Sequence, residues 1–484
     1  MRILGVNCLN HDAAITVIED GEILFAAHSE RYSRVKNDAF INDQIVHEAL
    51  SFGKPDHVVY YERPYVKKAR QLYAGQYKEA LSRKNLPSVY LSKWFSNNKI
   101  NYVDHHESHA AAGYYTSKFD DAIVVVIDGI GEWDVISFWH GSGNNLKKVW
   151  SQKYPHSLGL FYSAMTSRIG LKPCEEEYIL MGMSAWGDDL HTNEMTSDLI
   201  DLDRIKLRHN LHRGVGDYYS EWEDFNIAAS TQNVTELFLE KIFDKAKSMI
   251  PGVKKLVYMG GVALNCVANS AVVAEMFDSV WIMPNPGDAG SSLGCAASFY
   301  GKHVNWTGPF LGTEIAGKYP VKDALRLLEN NEIFGIASGR AEFGPRALGN
   351  RSLLADPRGS EIKDRVNEIK KRQKFRPFAP AVLEEKAHEV FEMPVEKVPY
   401  RQFIAKCKRP DLYPAICHID NTSRVQTVSK NDNPGFYSLI KEFYNRTGCP
   451  MLLNTSLNIK GEPIVNNVVD AMQFEKHYSV KVLS

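Results

Sequence analysis

With 484 residues, 44% of them apolar and 11% aromatic, the chain can bury sizeable cores and is long enough for about two to four domains. Fifty-seven basic residues against fifty-eight acidic ones leave a formal charge of -1, which excludes a global field that recruits nucleic acid or a membrane surface, though not a local basic patch. No stretch nears the roughly 20 apolar residues of a membrane span, and the opening MRILGVNCLNHDAA has no basic-then-apolar leader, so the cytoplasm is the expected compartment and no membrane partner is expected.

Residues 2–6 read as a short apolar strand opening onto a polar turn, Asn7 to Asp12. Residues 13–17 and 23–27, divided by Glu19-Asp20-Gly21, read as a hairpin, so a β-meander begins the chain and its first turn carries His11 and Asp12. A helix over about residues 42–52 and a strand over 58–61 follow.

Asp104-His105-His106-Glu107-Ser108-His109 gathers three imidazoles and two carboxylates within six residues. Side chains four apart share a helix face, so His105 and His109 can reach one divalent metal if distant carboxylates complete the set; a satisfied structural pair is the other reading. Residues 123–127 read as a buried strand that delivers Asp128 into a glycine turn, Asp128-Gly129-Ile130-Gly131-Glu132, with a return strand over 135–139. Those glycines suit a hairpin or the close approach of backbone amides to an anion. A strand, a polar turn and a returning strand thus occur near residue 10 and again near 130, which points to two similar halves facing one cleft.

The locally basic segment 200–214, IDLDRIKLRHNLHRG, is expected as a solvated helix, with recognition of a phosphate-bearing acceptor as the alternative. A strand over 255–259 ends in Gly260-Gly261, with Asn265 beyond and helix formers from 267; a glycine pair at such a junction lets a nucleotide phosphate approach. Asp288, in PNPGDAGSS, stands at the mouth of a small-residue helix, either as a metal carboxylate or as a plain N-cap. Pro309 between glycines, in 305–312, marks a boundary that divides the chain into 1–308 and 309–484.

Arginines concentrate between 339 and 380. Residues 363–374 read as a solvated basic helix face. Arg346, Arg351 and Arg376 instead sit among Gly, Pro, Phe and Ala, where a guanidinium implies an anion or carboxylate partner. Asn454 and Ser456 share one side of an extended segment after Cys449, so both can face one ligand, with an ST-turn as the competing account. The seven cysteines are scattered without a CxxC pair and are expected to be reduced and mostly buried.

Taken in order, HDAA, DHHESHAA, DGIGEW, GGVALNCVANS, PNPGDAGSSLG, GRAEFGPRALGNRS, FRPFAPAV, SRVQT and LLNTSLNIKGEPIV resemble the O-carbamoyltransferase family over nearly the whole chain. Its members carbamoylate nodulation factors, cephalosporins and aminoglycosides. The resemblance implies a mixed α/β architecture: a duplicated sugar-kinase and actin-like (ASKHA) domain at 1–308 carrying a metal site, then a YrdC-like α/β domain at 309–484. It implies that ATP and carbamoyl phosphate form carbamoyladenylate in the second domain, releasing pyrophosphate, and that the carbamoyl group passes to an alcohol at the first.

Carried over by motif, His105, His109, Asp128 and Asp288 are the implied metal ligands, and His11 is the acceptor-side histidine. The resemblance favours iron(II); two histidines argue against magnesium alone, which would instead accompany ATP. Arg346, Lys370, Arg376 and Arg424, with Asn454 and Ser456, are the implied phosphate and nucleotide contacts, joined by the candidate nucleotide contacts Gly260, Gly261 and Asn265. Arg346, Lys370 and Arg376 count as catalytic because two polyanions must be neutralised together, and His11 or Asp12 is the candidate base. A small-molecule hydroxyl is the expected acceptor, with a hydroxymethylated pyrimidine, free or in DNA, and a tRNA threonylcarbamoyl-type activity as alternatives. A homodimer is allowed. The region 155–237 is compact for the family, so acceptor identity does not carry over.

Overall fold

Two five-stranded sheets of one plan organise the N-terminal part of the chain. The structure is a computed structural model that describes residues 1–373, 375–376 and 378–484; Lys374 of the basic run and Pro377 of FRPFAPAV lie outside the described residues. In the first sheet β1 (Arg2–Asn7), β2 (Ala14–Glu19) and β3 (Glu22–His28) form an antiparallel meander. To it β4 (His57–Tyr60) and β5 (Ile100–Tyr102) add in parallel, giving the order β3-β2-β1-β4-β5.

The second sheet repeats this. β6 (Asp121–Gly131), β7 (Asp134–Ser142) and β8 (Asn145–Lys153) form the meander, while β9 (Lys255–Met259) and β10 (Ser279–Trp281) add in parallel beside β6. Order and strand directions match, so the duplication read from the two strand-turn-strand segments is present, in the form that actin and sugar kinases imply. β6 runs apolar from Ala122 to Ile127 with every residue sealed, as a central strand covered on both faces requires.

Two helices matter for the site. α1 (His105–Thr116) starts where Asp104 caps it, accepting from the amides of His106 and Glu107 at 3.0 and 3.3 Å. Its small residues, Ala110-Ala111-Ala112-Gly113, leave no polar face, and all its residues but Glu107 are buried. α2 (Ser291–Tyr300) packs against it so closely that a Cβ on Gly294 would lie 1.7 Å from the Ser108 carbonyl oxygen. Only glycine permits that crossing.

The helix expected near 42–52 spans Asp43–Ser51, with Asn42 capping Gln44 and Ile45. The segment 200–214 departs from its expected helix. It forms a small hairpin, Ile200–Asp201 against Lys206–Leu207, and buries Ile200, Ile205, Leu207 and Leu211. Ile200, Leu207 and Leu211 would share a helix face, but Ile205 is buried out of that register and, left-handed (φ 54°), closes the turn.

The chain divides into two compact units, Met1–Ser29 with Ala39–Trp306 and Glu30–Asp38 with Thr307–Ser484. The short Glu30–Asp38 segment belongs to the second unit, where Arg34 donates to the carbonyls of Pro463 and Ile464, both at 2.8 Å. That unit is built on a six-stranded mixed sheet of β11 (Phe334–Ala337), β12 (Arg351–Ala355), β13 (Ala379–Leu383), β14 (Gln426–Val428), β15 (Met451–Ser456) and β16 (Val482–Leu483). The order is β14-β13-β15-β12-β11-β16, with an apolar core that includes Phe334, Leu353, Val382, Phe436 and Leu453. Among the described residues no helix is long and apolar enough to cross a membrane. Six cysteines are buried and Cys174 is exposed, all of them free thiols.

Candidate functional site

His105, His109, Asp128 and Asp288 meet in the first unit, all buried, each offering one ligand atom within 4.8 Å of the others. α1 brings the two imidazoles, one turn apart on one face, with their Nε2 atoms 3.2 Å from each other. β6 brings Asp128 near its end, where the strand continues irregularly through Gly131 instead of turning at Asp128, and the Asp128 Oδ1 accepts from the Gly261 amide at 3.0 Å. Asp288 stands in the short turn before α2, with no side-chain cap bond, so the N-cap reading gives way to a carboxylate turned toward the histidines. Its Oδ1 lies 3.3 Å from His109 Nε2 and 3.5 Å from His105 Nε2; Asp128 Oδ2 is 3.5 Å from His105 Nε2.

These donors fit a divalent cation. The Pro286 carbonyl can only accept, so His109 Nδ1, 3.1 Å away, carries a proton, and Nε2 is the nitrogen turned to the carboxylates, able to ligate a cation that displaces any proton it holds. His105 Nδ1 lies 3.6 Å from Glu62 Oε2, and Glu62 is itself held by Lys67 at 2.6 Å. Glu62 is the supporting carboxylate that sequence reasoning missed. It follows an ordinary buried strand, and nothing in its local pattern ties it to a histidine some forty residues on. Two imidazoles with two carboxylates suit iron, manganese or zinc better than magnesium.

The electrostatics are those of a closely matched set of charges. Burial opposes a charge on His105, yet Asp288, Asp128 and Glu62 outweigh it and raise its pKa well above the usual value. Burial and Asp288 push against ionisation of Asp128, but His105 and His109 hold its carboxyl at about 2. For Asp288 too, burial is overcome by His11, His105 and His109, and its carboxyl stays well below the usual range.

His11 and Asp12 lie in the β1–β2 turn, at the rim of this cluster. His11 is half exposed, its Nε2 3.6 Å from Asp288 Oδ2 and its Nδ1 2.9 Å from Asp12 Oδ2. Burial disfavours its imidazolium, but Asp288, then Asp12 and Asp128, push its pKa up to about 9. Gly260, Gly261 and Asn265 find internal partners. A Cβ on Gly260 (φ 92°) would sit 2.2 Å from the Ile127 carbonyl oxygen, Gly261 serves Asp128, and Asn265 caps Ala268 and pairs with Gln232.

In the second unit Lys370 ends the helix Ile362–Lys370 and is buried. Its Nζ donates to Ser456 O at 2.6 Å, Ser456 Oγ at 3.1 Å, and Asn458 O and Oδ1 at 2.9 Å, so it braces the turn at Ser456–Asn458, where β15 ends. Burial and then Arg372, Arg376 and Arg401 hold its pKa well below 10.5. Arg346, Arg376 and Arg424 are half-buried. Arg346 and Arg424 act in turn on Arg401, a residue no motif singles out: burial first, then these two, lower its guanidinium to about 9. Of the candidate cations, Arg346 and Arg424 thus lie near enough to act on Arg401, and Arg376 near enough to act on Lys370.

Arg351 departs from its expected anion. It is fully buried, and its donors end on the carbonyls of Ser338, Gly339, Asn350, Thr313 and Asn466, so this guanidinium closes off loop backbone.

Residues 2–297 match the family model described as carbamoyltransferase N-terminus, and residues 325–484 the one described as carbamoyltransferase C-terminus. An uncharacterized protein of Synechocystis sp., sll1178, is 32% identical across 99% of this chain and 95% of its own length. Nodulation protein NolNO of Sinorhizobium fredii is 32% identical across 96% of this chain and 77% of its own. The 3'-hydroxymethylcephem-O-carbamoyltransferase of Amycolatopsis lactamdurans is 28% identical across 96% of this chain and 94% of its own.

Proposed function

The chain belongs to the carbamoyltransferase family, and from that premise we propose that it is an ATP-dependent O-carbamoyltransferase acting on the hydroxyl of a small molecule. The observation that carries this reading is the gathering of cations in the second unit: Arg346 and Arg424 act on buried Arg401, and Arg372, Arg376 and Arg401 on buried Lys370, so that burial first and these like charges second lower the pKa of both. Such a pocket calls for a polyanion. ATP and carbamoyl phosphate are two.

In this reading carbamoyl phosphate and water give carbamate and inorganic phosphate, and a carbamate oxygen then attacks the α-phosphorus of ATP, expelling pyrophosphate and leaving carbamoyladenylate. Arg346, Arg376 and Arg424 neutralise the phosphates, magnesium travels with ATP, and Lys370 keeps the Ser456 turn in place. At the first unit the acceptor oxygen attacks the carbamoyl carbon, AMP departs with the electron pair of the cleaved bond, and the hydroxyl proton passes to His11 in its neutral form, beside Asp12, a form that a cation balancing Asp288 and Asp128 would favour by relieving the pull that otherwise raises the His11 pKa to about 9. A divalent metal held by His105, His109, Asp128 and Asp288, with iron(II) as the preferred occupant, would supply Lewis-acid stabilisation of developing negative charge. Both co-substrates are cytoplasmic metabolites, and we place the protein with them. The relatives named as a nodulation protein and a cephem carbamoyltransferase support a small hydroxylated acceptor for this chain as well.

Incubation with ATP, carbamoyl phosphate and a panel of alcohols should yield a product heavier by one carbamoyl group, with pyrophosphate released. Arg346→Ala and Arg376→Ala should abolish that release. Release at the wild-type rate by both variants would remove the second unit from the chemistry.

A further inference from the structure

Arg401 is only 6% exposed, yet it carries a full charge among like charges. Among the described residues its hydrogen bonds run from one terminal nitrogen to Asn454 O at 2.9 Å and to Gln426 Oε1 at 3.4 Å. Among the described residues its Nε is buried without a hydrogen-bond partner, and no ion pair joins Arg401 to a carboxylate. Glu342 is the acid that acts on it, weakly, behind Arg346 and Arg424. Its backbone is left-handed, φ 61°, a conformation that costs a non-glycine residue and persists where the surroundings impose it.

A buried guanidinium without a counter-charge destabilises a fold, and a neutral side chain of similar length would relieve it. The position around it is nonetheless rigidly specified. Gln426 Nε2 donates to Leu348 O at 3.0 Å, which turns its Oε1 toward Asn454 Nδ2 at 2.9 Å; the strand that bears Asn454 is thereby fixed, and with it the carbonyl that anchors Arg401. One end of the fork is tied down while the Nε edge stays unsatisfied. That leaves a planar donor edge of the kind that pairs with phosphate oxygens.

We propose that Arg401 is an additional phosphate-binding residue of the second unit, whose unpaired guanidinium edge takes the oxygens of a phosphate group lying between it, Arg346 and Arg424. The inference rests on the reading of this unit as the site where ATP and carbamoyl phosphate meet, and it adds a residue outside the motifs that suggest that reading. The phosphate could belong to either co-substrate.

Calorimetric titration separates the cases, with inorganic pyrophosphate standing in for the nucleotide polyphosphate and phosphonoacetamide for carbamoyl phosphate. In Arg401→Met the affinity for one of them should fall at least about tenfold, and the one affected identifies the source. The unliganded thermal midpoint should hold or rise, because an unpaired charge has been removed. Should Arg401→Met fail to fold, Arg401→Gln, which can still donate to Asn454 O, takes its place: weakened binding supports the proposal. Wild-type affinity for both probes in a folded variant overturns it. If the unsubstituted protein binds neither probe, the adenylation reading of the second unit itself falls.

Discussion

The Nε2 atoms of His105 and His109 face each other across 3.2 Å with Asp288 Oδ1 close to both. At that spacing two inward lone pairs repel, so the pair needs either a proton or a shared cation between them. A resident divalent ion resolves the repulsion and balances Asp128 and Asp288 together. The unsubstituted chain should therefore retain about one equivalent of iron(II), manganese or zinc through anaerobic dialysis, read by elemental analysis. His109→Ala and Asp288→Asn should lose it altogether, whereas Glu62→Gln, which only supports His105, should weaken it by ~10 to 100-fold. Equal metal content in all four proteins would mean the cluster is an ion-pair network and nothing more.

The meeting of these four side chains was legible in the sequence because each sits where a local rule exposes it. His105 and His109 have helical spacing, Asp128 ends an unmistakable apolar run, and Asp288 precedes a run of small residues. The duplicated sheets were legible for the same reason, since both meanders are short strands punctuated by polar turns. Glu62 and Arg401 were not. Their roles come from partners far away in the chain, and neither spacing nor composition around them differs from ordinary buried strand or loop. Arg351 misled in the opposite direction: its glycine-rich neighbourhood supplies free carbonyls, which satisfy a guanidinium as well as an anion does. The 200–214 segment misled because Ile200, Leu207 and Leu211 have the spacing of a helix face, whereas the left-handed, buried Ile205 folds the chain into a hairpin instead.

Gly294 ties the packing of α1, which carries His105 and His109, and of α2, which follows Asp288, to the candidate site. A methyl group there would stand 1.7 Å from Ser108 O, and that oxygen is backbone of α1, so the helices must separate. Gly294→Ala is expected to cost about 1 to 3 kcal/mol or more and to weaken metal binding in parallel, because Asp288 precedes α2 while His105 and His109 ride on α1. Gly182→Ala, in the helix Glu177–Met183 with open space at its Cβ, is the control and should be neutral or stabilising by up to about 1 kcal/mol. Thermal unfolding of both variants, with metal content measured alongside, checks the pair; a Gly294→Ala protein as stable as the control would refute the close crossing.

His11 lies at the rim of the metal cluster and half in solvent, where it can meet an acceptor without being needed for the fold. His11→Ala should leave carbamoyl-phosphate-dependent pyrophosphate release within a few-fold of the unsubstituted rate and lower carbamoyl delivery to the alcohol by about 100- to 10,000-fold. Asp12→Asn, which keeps a hydrogen-bonding partner for His11 Nδ1 but removes its charge, should lose less. Both steps falling together in His11→Ala would assign the residue to structure instead.

Lys370 gives the unliganded protein a pH dependence of definite sign. Burial first, then Arg372, Arg376 and Arg401, hold its pKa in the folded chain well below 10.5. The unfolded chain keeps this proton up to about 10.5 while the folded chain has already released it, so between the two values the unfolded state binds more protons and stability rises with pH. Below the lowered pKa both states are protonated and the penalty is constant. A polyanion in the pocket screens the neighbouring arginines, raises the Lys370 pKa and draws a proton from solution. Titration of pyrophosphate on the alkaline side, in buffers of different ionisation enthalpy, should thus show proton uptake by the protein beyond the protons that pyrophosphate itself exchanges. Lys370→Met should take up fewer protons and show a flatter stability profile on the alkaline side, at the cost of its bonds to Ser456 and Asn458. Identical uptake with and without the lysine would detach Lys370 from the ligand and leave it as a brace for the turn alone.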